Sequence, residues 1–474
     1  MARASGKPKT ENRKQAWPGV SCLFNARTVA VIGASRNPKK IGHVIFRNLL
    51  EWRFRGEVYP VNPEANEILE KKCYSTLSKI GKPIDLAIIT VPAPLVPGVL
   101  EECGRVKVKA CVIISGGFKE VGRMDLEEQL ESAAKKSGIR ILGPNCIGIY
   151  DAYSGVDTIF NPRYKMGRPE KGMISFISQS GATLCIIMDW MAHKCYRGAK
   201  FISYGNALNT DEADLIEYLV SDPDTGVICV YMEGIKNGRK FFEIAKANSR
   251  KIPIIALKGG VSDAAVNAVS THTGSLAGAP EIYRAMFRQA GVIEASDLEQ
   301  VFDFARVLST QPMPRGKRIQ IITNGGGFGV LMTDCIAKSG MELAGLNDEY
   351  YGELKKLISD HVVIRNPLDL TGDSSAEMYI EAIKGAMADP DVDMVAVILL
   401  LQLPTLAADI VEMVSEQNKT KKKPMIIISA GGEYTEVLKK SMEDYGIPCF
   451  SYPERAAMAM KALYDYSNFR GAKK

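Results

Sequence analysis

Four histidines occur in the 474-residue chain, and only His272 lies in a run of small residues, Ser270-Thr271-His272-Thr273-Gly274-Ser275-Leu276-Ala277-Gly278. The unperturbed pKa of imidazole leaves one ring nitrogen unprotonated near neutral pH, so such a residue can act as a nucleophile. Its small neighbours leave it room to swing. Glu233 ends the apolar run Val227–Met232 in Tyr231-Met232-Glu233-Gly234. Reacting groups of open α/β sheets collect at the carboxyl ends of strands. A carboxylate there could hold one nitrogen of His272 and leave the other to attack phosphorus. His43 is expected on a helix surface, although it could touch a ligand, and His193 on the exterior beside Lys194. Neither these nor His361 shows metal-ligand spacing, and no metal site is expected.

Three turns of small residues could hold anions. Ile32-Gly33-Ala34-Ser35 follows an apolar run, and Lys39-Lys40-Ile41-Gly42 opens an amphipathic one. Glycine lets backbone approach a phosphate, and a helix N-terminus offers free N–H groups and partial positive charge. Ser178–Ala182, containing Ser180-Gly181, and Thr323–Gly327, containing Gly325-Gly326, repeat the pattern. Each anion contact at such a turn is worth about 0.3–2 kcal/mol. Taken singly, each is equally a plain tight turn. Facing one another, the last two could converge on a single phosphoryl group.

The elements that must carry these residues alternate. From Arg27 to Tyr150, the runs Thr28–Ala34, Glu57–Val61, Asp85–Val91, Ala110–Ser115 and Ile139–Leu142 read as strands, with amphipathic segments such as Val44–Trp52 and Leu126–Ser137 between them. This rhythm predicts a parallel sheet in a Rossmann-like domain. A second α/β block has strands at Met173–Ser178, Lys200–Tyr204, Val227–Met232 and Ile252–Lys258, then a helix at Pro280–Ala290. Gln311–Gly316 reads as a linker. A third block has strands at Arg318–Thr323, Met341–Ala344, Met394–Leu401, Met425–Ser429 and Pro448–Ser451. The last two blocks share a turn after the first strand, an Asp-Pro-Asp before a central strand, and a Pro-initiated strand ending in Gly-Gly, which points to duplication. The expected domains are a disordered basic tail over 1–20, then 21–150, 151–310 and 317–474.

Composition bounds the rest. Net charge is +6, with Arg3, Lys7, Lys9, Arg13 and Lys14 in a tail that lacks the apolar core of a signal peptide. Nucleic-acid binding is not expected. Ten cysteines stand singly with no C-x-x-C, which suits a reducing cytoplasm and argues against zinc; Cys111, Cys185 and Cys229 read as buried. No apolar stretch approaches the ~20 residues of a membrane helix. Lys419–Lys423 reads as a helix-to-strand loop.

In this order, several motifs together resemble the α subunit of ADP-forming acyl-CoA synthetases, relatives of succinyl-CoA synthetase, from Leu23 to Tyr466. They are Val31-Ile32-Gly33-Ala34-Ser35, Val61-Asn62-Pro63, Ile114-Ser115-Gly116-Gly117-Phe118-Lys119-Glu120, Gly143-Pro144-Asn145-Cys146, Ser178-Gln179-Ser180-Gly181, Tyr204-Gly205-Asn206, Glu233-Gly234-Ile235, His272-Thr273-Gly274-Ser275 and Asn366-Pro367-Leu368-Asp369. The resemblance implies an α/β chain, a Rossmann-like CoA-binding domain followed by two flavodoxin-like (succinyl-CoA synthetase-like) domains. It implies CoA contacts at Gly33, Ser35, Lys39, Pro63, Pro92, Ile114, Ser115 and Gly116, and Asn145 at the thioester. It implies a phosphohistidine at His272 oriented by Glu233, with Ser180, Gly181, Gly325 and Gly326 holding the phosphoryl group. The implied reaction is acyl-CoA + ADP + phosphate to acid + CoA + ATP, on a small carboxylic acid. Glu64 departs from the lysine that many relatives carry after Asn-Pro, and Lys39 or Lys40 could compensate. No ATP-grasp domain is recognisable, so the resemblance implies a β partner, an α2β2 assembly, and ADP/ATP with Mg on that partner. Two other readings compete: a CoA-binding regulatory or scaffold protein without turnover, and an NAD-dependent dehydrogenase. The pairing of His272 with Glu233 disfavours the first. The incomplete glycine fingerprint and the lack of a clear ribose-reading acid disfavour the second.

Overall fold

The computed structural model describes residues 19–262, 279–359 and 362–472. The chain divides into two compact units, one of Met1–Ala192, Arg197–Asn248 and Lys258–Met286, the other of His193–Tyr196, Ser249–Leu257 and Phe287–Lys474.

The first unit begins with a parallel five-stranded sheet of β1 (Thr28–Ile32), β2 (Glu57–Val61), β5 (Leu86–Ile89), β6 (Ala110–Ile113) and β7 (Arg140–Leu142). Its order is β2-β1-β5-β6-β7, and a small hairpin, β3 (Glu67–Ile68) and β4 (Lys71–Lys72), follows β2. Ala87, Ile89, Cys111 and Ile113 are fully buried, as a parallel sheet covered on both faces requires. The order reverses between β1 and β5, so a crevice opens beyond their carboxyl ends. Val20 opens a short helix, Val20–Phe24, and is buried, so this residue of the stretch read as tail is part of the fold. Phe24 stacks on Tyr218, ring centroids 5.0 Å apart.

A second sheet in the same unit runs β11-β9-β10-β8, from β8 (Ile149–Asp151), β9 (Lys171–Ser178), β10 (Gly198–Ser203) and β11 (Val227–Met232). Edge strand β8 pairs antiparallel with β10, Phe201 opposite Tyr150. It carries no pattern of its own and was invisible in the sequence, because three residues are too few for a period. It puts Ile149–Asp151 into the second sheet.

The second unit contains β13 (Ile293–Ala295) and β12 (Ile254–Lys258) up to Leu257, a parallel pair with Ile255 opposite Ile293. It also holds a parallel sheet of β14 (Arg318–Thr323), β15 (Glu342–Leu343), β16 (Leu368–Asp369), β17 (Met394–Ile398), β18 (Met425–Ile428) and β19 (Cys449–Phe450), ordered β15-β14-β17-β18-β19 with β16 beside β14. β10-β9-β11 in one unit and β15-β14-β17 in the other share one order, and the pair β12–β13 is matched by β18–β19. Duplication accounts for this more simply than convergence.

Several boundaries moved. β17 ends at Ile398 rather than Leu401, where the Leu400 N–H leaves the sheet and donates to Asn324 Oδ1 at 2.9 Å. Met341–Ala344 contracts to Glu342–Leu343. The Gln311–Gly316 linker is pinned, since the Gln311 amide donates to Gly446 O at 3.0 Å and accepts from Met425 N–H at 3.0 Å. Lys423 lies in the helix-to-strand loop read for it and is held there: its amine donates to Ala386 O at 2.7 Å and to Asp389 O. Burial there lowers its pKa to about 8. Cys111 and Cys229 are buried, but Cys185 is only half-buried. No helix among the described residues is long and apolar enough to cross a membrane.

Candidate active site

The turn after β1 is built on two glycines. Gly33 has φ +91°, closed to most side chains. A Cβ on Gly42, one residue into helix Ile41–Glu51, would overlap the Gly33 carbonyl. Strand and helix therefore close to backbone contact, leaving the turn Ala34–Lys40 to arch outward. Inside the arch Asn37 Oδ1 accepts from Lys39 N–H at 2.9 Å, and Asn37 N–H donates to Ser35 Oγ at 3.1 Å. His43, expected on the helix surface, is buried, because its Nδ1 lies 2.7 Å from the Ser35 carbonyl. A carbonyl only accepts, so Nδ1 carries the proton. The histidine thus braces the turn through Nδ1. Lys39 and Pro63 are exposed beside it, as is Pro92 after β5. Arg36, unremarked in the sequence, donates to the Glu64 carbonyl at 3.3 Å and supplies another cation at this turn.

Beyond the carboxyl ends of β5 and β6 lies a cavity of about 560 Å³. Thr90, Ile114, Ser115, Gly116 and Asn145 line it, with Ser180, Gly181 and Glu233 from the second sheet. Ser115 Oγ donates to Val91 O at 2.5 Å. Asn145 sits at φ +57° after the cis Gly143–Pro144 bond, and its N–H donates to Ser115 O at 3.0 Å. The Asn145 amide is thereby aimed at the Ile114–Gly116 turn, where a Cβ on Gly116 would stand 3.0 Å from its Oδ1. Glu120 ties the turn down, accepting from Gly117 N–H at 2.5 Å, Phe118 N–H at 3.1 Å and Asn206 Nδ2 at 2.7 Å. Burial pulls its pKa up, but these donors, Asn206 first, hold it below the ordinary value. Burial pushes the neighbouring Cys146 thiol to about 12. It stays protonated and is no nucleophile.

Ser180 caps helix Gly181–His193: its Oγ accepts from Thr183 N–H at 3.2 Å. The first N–H groups of that helix remain for a ligand. Glu233, 7% exposed, is seated by Gln179, whose Oε1 accepts from Glu233 N–H at 2.7 Å and from Gly234 N–H at 3.1 Å. Tyr231 donates to Glu233 Oε1 at 3.3 Å. In the second unit, Gly325 is the N-cap of helix Gly326–Lys338 and offers no side-chain cap bond, and a Cβ on Gly326 would approach Asp369 Oδ2 to 2.8 Å. His272 and His361 lie outside the described residues.

The cavity therefore joins Ile114, Ser115, Gly116, Asn145, Ser180, Gly181 and Glu233, while Gly33, Ser35, Lys39, Pro63 and Pro92 lie outside its lining. Gln179, Tyr204 and Lys119, quoted above within motifs but given no site role, also line it, as do Glu212 and Lys236, which the sequence reading missed. Lys119 and Lys236 donate to the carbonyls of Asn206 and Ala207 at 3.0 and 2.8 Å. Burial and the nearby Lys119 lower Lys236 to about 8. Gly33 and Gly42 let strand and helix meet, and the exposed Lys39 and Arg36 give the turn between them two cations.

Comparison with known proteins places these features. The chain matches the family models described as CoA binding domain over 27–152, succinyl-CoA ligase like flavodoxin domain over 171–308, and ligase-CoA domain over 319–474. Fold and site together define a chain of the CoA-ligase class, with a CoA-binding domain followed by succinyl-CoA ligase-like domains. It is 39% identical to the acetate–CoA ligase [ADP-forming] I subunit alpha of Pyrococcus furiosus, over 96% of this chain and 99% of that one. It is 40% identical to the acetate–CoA ligase [ADP-forming] I of Archaeoglobus fulgidus over 94% of this chain, but spans only 63% of that longer protein. The structure of a Ca. Korarchaeum cryptofilum dinucleotide forming acetyl-coenzyme A synthetase 1, in complex with phosphate and ADP, superposes with TM-score 0.89 and 37% identity, covering 95% of this chain and 97% of that one. The chain belongs to the family of ADP-forming acetate–CoA ligase α subunits.

Proposed function

We propose that this chain is the α subunit of an ADP-forming acyl-CoA synthetase, catalysing acyl-CoA + ADP + phosphate to acid + CoA + ATP through acyl phosphate and a phosphohistidine on His272. The observation that carries the reading is the single cavity in which Ser115, Gly116 and Asn145 meet Ser180, Gly181 and Glu233. A thioester beside Asn145 and a phosphoryl group at the N-terminus of helix Gly181–His193 would then share one chamber, as transfer between them demands. Gly33, Ser35, Lys39, Pro63, Pro92 and the Ile114–Gly116 turn hold CoA in this reading. Glu233, fixed by Gln179 and Tyr231, orients His272. Gly325 and Gly326 supply a second helix N-terminus for the phosphoryl group. The α-subunit designation of one relative and the greater length of another support a separate ATP-grasp β subunit. That partner would carry ADP/ATP and Mg, in a cytoplasmic α2β2 assembly acting on a small carboxylic acid.

The test is intact mass of the purified chain after incubation with acetyl-CoA and phosphate, repeated with other acyl-CoAs and with His272→Ala. An acid-labile gain of one phosphoryl group, lost in the variant, is expected. No gain with any acyl-CoA, even with a candidate ATP-grasp partner added, would reject the synthetase reading in favour of a CoA-binding regulatory protein.

A further inference from the structure

Glu212 has no part in the reading above, yet its placement asks for one. It is 3% exposed and lines the same cavity as Asn145 and Glu233. Its neighbours in the capping box of helix Glu212–Val220 are neutralised. Asp211 and Asp214 share Lys240, at 2.9 and 2.8 Å, and Asp214 also faces Arg140 at 3.8 Å. Glu212 itself has no ion-pair partner among the described residues. Beside it lies the Tyr204 hydroxyl, 1% exposed, which faces the Glu212 carboxyl and lines the cavity too. A buried carboxyl with no ion pair, set beside a buried phenol on the wall of a ligand cavity, is placed to exchange a proton with what binds there.

We propose that Glu212, seated against Tyr204, is the proton carrier for the CoA sulfur. The inference rests on the acyl-CoA reading of this cavity. A phosphate oxygen attacks the thioester carbonyl carbon, the new C–O bond forms and the C–S bond breaks. The departing sulfur takes the proton of the Glu212 carboxyl, and the carboxylate recovers a proton from the attacking phosphate. The proton of phosphate thus ends on the CoA thiol, and the charges balance. In the reverse direction the carboxylate takes the thiol proton as sulfur attacks the acyl phosphate.

Burial supports this by lifting the Glu212 carboxyl to about 7, where both protonation states are at hand. The groups facing it are Tyr204, then Asp211, Asp214 and Lys240 on its own side, with Glu233, Lys119 and Lys236 elsewhere on the cavity lining. The thioester-cleaving step needs the protonated form, so its rate falls as pH rises through about 7.

The experiment follows phosphohistidine formation on the full chain by intact mass, from acetyl-CoA plus phosphate and, separately, from acetyl phosphate, which bypasses the sulfur step. Glu212→Gln is expected to slow the acetyl-CoA route about 100-fold or more and abolish its pH limb, leaving the acetyl phosphate route within about threefold. Glu212→Asp, a second variant should Gln fail to fold, is expected to slow the acetyl-CoA route alone. Equal loss on both routes, or on neither, overturns the inference while phosphohistidine in the parent chain keeps the synthetase reading. No phosphohistidine from either donor in the parent chain overturns both.

Discussion

The side-chain oxygen of Gln179 accepts the backbone N–H groups of both Glu233 and Gly234, at 2.7 and 3.1 Å. A residue from the loop after β9 thereby sets the backbone at the end of β11, and with it the direction of the Glu233 carboxylate. Two loops that are distant in sequence become one rigid floor.

Gln179→Leu removes the shared acceptor and leaves two part-buried donors unpaired. Each unmade bond costs about 1–3 kcal/mol. The expected outcome is a lower thermal midpoint and slower phosphohistidine formation from acetyl phosphate, with acetyl-CoA binding retained. Calorimetry and intact-mass kinetics check it.

Gly42→Ala tests the first turn. Its Cβ would overlap the Gly33 carbonyl and stand 2.9 Å from Thr90 Oγ1, so helix and strand must part. Overpacking of this kind costs about 1–3 kcal/mol. A weakened acyl-CoA titration accompanying the stability loss is expected. A matching change at Gly98, whose added Cβ meets nothing within 4 Å, should leave binding as it was.

The buried network of the second unit makes a separate prediction about stability. Arg306 binds Glu443, donates to Asp303 Oδ1 at 2.6 Å and is 3% exposed, and Arg455 holds Asp303 at 2.8 Å. Burial raises the Glu443 pKa against the pull of Arg306. Arg306→Ala strands the buried Glu443 carboxylate, while Arg455 still holds Asp303, and is expected to cost about 3–5 kcal/mol, measured by denaturant unfolding. Stability of that variant should partly recover toward acid pH, as the stranded carboxyl takes up a proton.

Glu212 also predicts a stability profile. Its folded pKa, about 7, is raised from the ordinary 4.5, so the folded state keeps a proton that the unfolded chain has released. Stability from this group is fully present below the unfolded value and is lost as pH rises through the folded one. Relative to Glu212→Gln, the parent chain is expected to lose roughly 3 kcal/mol between pH 4.5 and 7 and little beyond. Equal pH slopes for the two proteins in chemical denaturation would contradict it.

By itself the sequence determined the α/β class, nearly every strand of four residues or more, and the turns at Gly33, Ser180 and Gly325, because periodicity, glycine and helix capping are local properties. β11, β14 and helix Pro280–Ala290 fall on the residues read for them. Edge strands β8 and β13 were not legible, because they exist only through pairing, whereas the equally short β7, β15 and β19 lie within the short stretches read as strands. His43 was misread for a related reason: its burial depends on the Ser35 carbonyl in the preceding turn, which no helical pattern encodes. The same holds in the cavity. Motif order assembled Asn145, Ser180 and Glu233, but only tertiary structure decided that Gln179 holds Glu233, that Lys119 and Lys236 share a wall, and that Glu212 sits buried without a cation. Hydrogen-bond partnership and desolvation are set by neighbours brought together from across the chain, and a linear pattern carries no record of them.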